Sequence, residues 1–242
     1  MCRHVFRVGL LAAGLAWAPG TVAAHDGPHG HATGSAPPAT SANYAYPLAR
    51  AGTYALPPIK RAAGGSVLDE QGHRRDLADL LRGRMSVLAF IYTRCGDVCP
   101  TASMQLAALR ELAAQDRRLT ERAQLISMSF DPDHDTPAVM AEHARQWRDG
   151  AAGPRWLFVT APDRDRLAPI LSAYGQAVMP QPGPAGTPDL LAHVLRVFLV
   201  DRSGMVRNIY SIDFLDPQLV LNDMRTLLLH EGHRSAPEAR MR

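Results

Sequence analysis

Apolar and polar positions along the 242 residues follow two alternating periods. Residues 87–92, Val-Leu-Ala-Phe-Ile-Tyr, are an unbroken apolar run rich in β-branched and aromatic side chains, which predicts a buried strand. A short polar stretch follows. Leucines at 106, 109 and 112 then recur at helical spacing, so 101–115 is expected to be a helix. Pro100 suits its first turn, where a missing N–H loses no partner. The alternation continues with a strand at 123–130 and a helix capped by Thr136 and opened by Pro137. That helix carries Met140, His143, Ala144 and Trp147 on one face. A strand at 156–159 and a helix at 163–174 come next.

The flanking segments are patterned differently. Residues 66–68 and 74–76 read as a hairpin around Gln71-Gly72, and 77–81 as a helical turn ending at Gly83. Residues 175–188, dense in Pro and Gly, predict an irregular, mobile rim. Residues 193–200 predict an apolar strand, Asp201-Arg202-Ser203-Gly204 a turn, and 205–210 the antiparallel partner. Asp216-Pro217 open a last helix with Leu219, Val220, Met224, Leu227 and Leu228 inward. Strands alternating with helices imply parallel pairing and an α/β fold. With two cysteines between the first such strand and its helix, the pattern is thioredoxin-like, a central mixed sheet flanked by helices.

The ends fall outside this pattern. Residues 1–24 carry a basic start (Arg3, His4, Arg7), a short apolar core and small residues before His25, which predicts a secretory signal peptide; an uncleaved anchor is the alternative. Export to the periplasm is expected, with attachment to the inner membrane if the leader stays. Residues 25–55 are expected to be a disordered His-, Pro- and Gly-rich segment and a linker across the domain surface, anchored by Tyr44, Tyr46 and Tyr54. His25, His29 and His31 could bind Cu or Zn loosely, or simply belong to a polar tail. The folded domain is expected over 56–230 and a polar tail over 231–242.

Charge excludes one class of partner. Lys and Arg number 26 against 23 Asp and Glu. Arg3 and Arg7 lie in the segment expected to be removed, which leaves a surplus of one. No basic stripe interleaved with aromatics is present, so nucleic acid is not an expected partner.

Of three cysteines, Cys2 belongs to the leader, so Cys95 and Cys99 remain. A disulfide closing so small a loop adds little stability. Redox or metal chemistry explains the pair better. At a strand-to-helix junction, free N–H groups and the helix dipole stabilise a thiolate. Disulfide-exchange dithiols usually have two residues between their cysteines; here there are three, Gly96, Asp97 and Val98. Positions i and i+4 share one side of a helical turn, so both sulfurs could face one object. Thiolates with an added imidazole suit Cu(I). His193, at the start of an apolar strand, is the best candidate imidazole, although histidine there is also an ordinary structural residue. His73, His134, His143, His230 and His233 have a similar or weaker claim. Asp131 and Asp135, near a strand's carboxyl end, read either as a turn and helix start or as a shell or docking loop beside the site. A peroxidase of the peroxiredoxin type would place Thr three residues before its reactive Cys; Tyr92 stands there.

Three blocks resemble the Sco/SenC/PrrC family, the copper-binding assembly factors of cytochrome c oxidase. They are Tyr92-Thr93-Arg94-Cys95-Gly96-Asp97-Val98-Cys99-Pro100, then Ser129-Phe130-Asp131-Pro132-Asp133-His134-Asp135-Thr136-Pro137, then His193 with Phe198-Leu199-Val200-Asp201-Arg202-Ser203-Gly204. The resemblance implies a thioredoxin-like fold and one copper ion, Cu(I) or Cu(II), held by Cys95, Cys99 and His193. It implies a metallochaperone rather than an enzyme, serving the CuA centre of oxidase subunit II or another cuproprotein alongside other periplasmic copper chaperones. Some relatives are thought to act instead as thiol-disulfide reductases on that target, with Cys95 and Cys99 as the redox-active pair. The sequence departs from the family pattern at Gly96, usually Pro, at Arg94, where His is frequent, and at Ala192-His193-Val194, which lacks the common Asp-His-Ser surround.

Overall fold

The central apolar run becomes β4 (Met85–Ile91), with all seven residues buried. It is the middle of a six-stranded sheet that also contains β1 (Lys60–Arg61), β5 (Ala123–Ser129), β6 (Arg155–Val159), β9 (Val197–Val200) and β10 (Met205–Tyr210), in the order β1-β10-β9-β4-β5-β6. The computed structural model describes residues 47–95, 98–148, 152–182 and 190–235. β5 and β6 run parallel to β4, while β9 runs antiparallel to it, making the sheet mixed.

The parallel strands are joined by helices, as their direction demands. α2 (Val98–Ala114) follows β4 and α4 (Pro137–Arg148) follows β5. A short helix not foreseen from the sequence, α3 (Arg117–Arg122), intervenes; Asp116 caps it by accepting the Arg118 N–H at 3.0 Å. α5 (Arg164–Ala173) is capped by Asp163, and α6 (Pro217–Ser235) by Asp216, which accepts from the Gln218 and Leu219 N–H groups. α2 packs on α6 and α4 on β6. Phe90, Trp156, Phe158 and Phe198 are fully buried in the resulting core. Each such side chain contributes roughly 1.5–3 kcal/mol by leaving water.

The hairpin forms as expected: β2 (Ser66–Leu68) pairs with β3 (Arg74–Asp76), and Gly72 takes the positive φ of 79° that its turn requires. α1 (Leu77–Leu81) follows it. Gly204 likewise has φ 81° in the β9–β10 turn.

Two expectations need correction. The rim at 175–188 is partly ordered: β7 (Val178–Gln181) pairs antiparallel with β8 (Leu190–His193), and its tip lies outside the described residues. Residues 193–200 are not one strand. His193 ends β8, and the sheet strand β9 starts only at Val197. An apolar run does not reveal a change of partner, because both strands read alike. Packing also extends on both sides of residues 56–230. Leu48 is buried, the Gly52 N–H donates to Thr226 Oγ1 at 2.9 Å, and Tyr54 Oη donates to Asp223 Oδ1 at 2.5 Å. The linker thus begins packing on α6 well before residue 56, and α6 runs through to Ser235. The expected leader, His25, His29, His31, Tyr44, Tyr46 and residues 236–242 lie outside the described residues. Among the described residues no helix is long and apolar enough to cross a membrane.

Candidate metal centre

The register of the sheet brings the distant pieces together. Ala89 of β4 faces Val197 of β9 in antiparallel pairing. Residues after Ala89 therefore run beside residues before Val197, which places the cysteine loop and β8 at one edge. The Leu191 N–H donates to Tyr92 Oη at 3.4 Å, fastening β8 there.

Cys95 and Cys99 are both thiols. Cys95 follows a turn in which its N–H donates to the Tyr92 carbonyl at 3.3 Å. Cys99 lies in the first turn of α2, where N–H groups have no intrahelical partner. Its own N–H points to Cys95 Sγ at 3.4 Å. An N–H aimed at sulfur from a helix start favours a thiolate there. Cys99 Sγ is 3.7 Å from His193 Nε2. The Cys99 thiol titrates well above its ordinary range. Its hydrogen bond with Cys95 is the main cause and burial the next, and the Tyr92 backbone opposes them only in part.

Aromatic rings pack against His193. Phe130 lies against it with centroids 4.5 Å apart, and Tyr92 against Phe130 at 5.1 Å. Burial lowers the pKa of His193, opposed only in part by the Val194 backbone, so a neutral ring able to offer a lone pair is favoured. Among the described residues its buried Nδ1 has no hydrogen-bond partner, in keeping with the missing polar neighbours at 192 and 194. Two thiols and a neutral imidazole are a fitting donor set for a soft ion. Among the described residues, however, no three His, Cys, Asp or Glu side chains already form a metal-holding group.

The aspartates turn toward the cysteine loop. Asp135 is fully buried and accepts from Thr93 N at 3.0 Å, Thr93 Oγ1 at 2.5 Å and Ser129 Oγ at 2.5 Å. Asp131 pairs with Arg94 Nη2 at 2.6 Å. A cleft of about 390 Å³ opens beside the thiols, lined among others by Tyr92, Cys95, Cys99, His143 and Trp147. His143 thus shares the neighbourhood, but its Nε2 already accepts the Trp147 indole N–H at 3.2 Å. Burial lowers its pKa, against the pull of Asp135. His73 sits on the β2–β3 hairpin beside Asp69, His134 in the turn after Asp131, and His230 and His233 on α6. Phe130 and Tyr92 wall the site; the sequence places them at strand ends inside the first two motif blocks but assigns them no contact with His193. Their place at two strand ends next to cysteine and aspartate was the available signal.

A thioredoxin-like α/β domain with a dithiol at the first strand-to-helix junction is the class these features define. The SCO1/SenC family model matches residues 65–229, and the chain belongs to that family. Among its relatives is the mitochondrial SCO2 homolog of Bos taurus, 27% identical over 158 residues that cover 63% of this chain and 56% of the relative. A putative copper-binding protein of Stutzerimonas stutzeri is 32% identical over 99 residues, 40% of this chain and 47% of that one. The chain thus spans about half the length of these curated relatives. Similar folds include Arabidopsis thaliana ScoI with copper bound, at TM-score 0.61 and 18% identity, covering 70% of this chain and 98% of that one. Bradyrhizobium japonicum ScoI with copper bound has TM-score 0.57 and 22% identity, covering 68% and 98%.

Proposed function

We propose that this chain is a periplasmic copper metallochaperone whose Cys95 and Cys99 thiolates and His193 imidazole carry one copper ion for assembly of the CuA centre of cytochrome c oxidase. The observation that carries this reading is the approach of Cys99 Sγ to His193 Nε2, with Cys95 Sγ on the Cys99 N–H. Membership of the SCO1/SenC family supports it, as do the copper-bound structures of similar folds. Cu(I) prefers thiolate with imidazole as an added ligand, and loading releases the thiol protons. Cys95 is the more open of the two thiols, so cargo and partner would meet it first. Oxidation to a Cys95–Cys99 disulfide would remove two donors and end tight binding.

A second reading, a thiol-disulfide reductase acting on the oxidase subunit or another cuproprotein, is favoured by the same adjacent thiols. A solved relative of similar fold is described as carrying a disulfide switch. Cu(I) competition against a chelator on the reduced protein separates the two. Tight one-to-one binding lost in Cys95→Ser is expected. Equal affinity in Cys95→Ser overturns the chaperone. Weak binding by a dithiol that readily reduces other disulfides moves the assignment to the reductase.

A further inference from the structure

The carboxylates at the end of β5 are oriented in a way their own loop does not explain. α4 is capped by Thr136, whose Oγ1 accepts the Val139 N–H at 3.4 Å. Asp135 therefore spends no acceptor on its own helix. It gives both oxygens to Thr93 and Ser129, while its backbone N–H donates to the Asp131 carbonyl at 2.8 Å. Asp131 likewise directs its side chain across to Arg94. Both residues immediately before Cys95 are thus held by carboxylates from the loop after β5: Thr93 through backbone and hydroxyl, Arg94 through its guanidinium. The frame itself is tied to the sheet. Phe130 N donates to the Ile91 carbonyl at 3.0 Å, and Asp131 N to Ser129 Oγ at 3.0 Å. A carboxylate buried this deeply is costly unless hydrogen-bonded, and hydrogen bonds to a charged acceptor are the strong ones.

We propose that Asp135, Thr93 and the Asp131–Arg94 ion pair form a positioning clamp that sets where the Cys95 sulfur stands relative to Cys99 and His193. Among the described residues His193 Nδ1 has no hydrogen-bond partner, and its ring packs on Phe130, so polar positioning is sought on the cysteine side. The clamp rests on the dithiol site proposed above and adds which residues tune it. None of its members touches the cargo. They act through the backbone that carries Cys95. Outer partners of this kind typically change metal affinity by about 10–100-fold.

The test uses the full chain carrying Thr93→Val, Arg94→Gln or Asp135→Asn, with Asp223→Asn as a buried-carboxylate control remote in sequence from the cysteine loop. Two readouts are taken. One is Cu(I) competition. The other is the equilibrium in which the Cys95 and Cys99 thiols plus one glutathione disulfide give the Cys95–Cys99 disulfide plus two glutathione thiols. Thr93→Val and Arg94→Gln should each weaken Cu(I) binding by about tenfold, and Asp135→Asn by up to about 100-fold. The glutathione equilibrium constant should move by roughly tenfold, about 30 mV. Asp223→Asn should lower the unfolding midpoint and leave both readouts alone. The clamp is overturned if the folded clamp variants keep wild-type values in both, or if Asp223→Asn shifts them equally. Should Asp135→Asn not fold, Thr93→Val and Arg94→Gln decide. Should the wild type bind no Cu(I), the copper reading fails, and the glutathione equilibrium alone still decides the clamp.

Discussion

Cys99 Sγ and His193 Nε2 stand 3.7 Å apart although 94 residues separate them in the chain. Cys99 is delivered by the start of α2, and His193 by the end of β8, which Tyr92 and Phe130 hold against the sheet edge. His193→Ala should weaken Cu(I) binding by more than the 10–100-fold typical of losing an outer partner. The Cys95–Cys99 dithiol should still form its disulfide in the mutant. Chelator competition and thiol titration of the same sample check both. Unchanged Cu(I) affinity would remove His193 from the ligand set.

Proton competition at this site has a definite sign. Cys99 titrates above its ordinary range, so at neutral pH it must lose a proton to bind a metal ion. His193 titrates below its ordinary range and is already neutral there. Apparent Cu(I) affinity should therefore rise with pH from 6 to 8, by about tenfold per unit for each thiol that is still protonated. His193→Ala should keep this slope, and Cys99→Ser should flatten it. Competition at several pH values measures the slope.

Asp223 is the anchor for the amino-terminal segment. It accepts from Tyr54 Oη at 2.5 Å, Tyr210 Oη at 2.6 Å and Asn208 Nδ2 at 2.8 Å. Replacing it with Leu leaves those donors unpaired in a buried place, which should cost about 3 kcal/mol. Tyr210→Phe removes one donor with its hydrogen bond and should cost only about 1 kcal/mol. Urea unfolding should rank the two in that order, and equal midpoints would contradict it.

Acid should act through Asp201. Burial would raise its pKa. Hydrogen bonds from the Ser203 hydroxyl and from the Ser203 and Met205 backbone, with Arg207 at 2.8 Å, outweigh that and hold it below the ordinary carboxylate value. A depressed folded pKa adds stability at neutral pH that is lost as pH falls through that folded value. Unfolding free energy should decline as pH drops below about 4, the unfolded Asp value. Asp201→Asn should be less stable at pH 7 and decline less steeply. Parallel slopes for the two proteins would rule out Asp201 as a source.

What the sequence determined by itself was local chemistry. The run at 87–92, the hairpin about Gly72 and the caps at Thr136 and Asp216 depend on near neighbours, and all appear where their residue types demand. The pairing of two cysteines with a helix start was equally local, since spacing alone puts both at one junction. Tertiary structure decided what depends on partners far away in the chain. It split 190–200 into β8 and β9, because an apolar run does not say which strand it joins. It folded 48–56 onto α6, where Asp223 supplies an acceptor that no local pattern predicts. It also turned Asp131 and Asp135 away from their own helix toward Arg94 and Thr93. A carboxylate near a helix start reads as a cap in sequence, and only the neighbouring parallel strand shows what it holds.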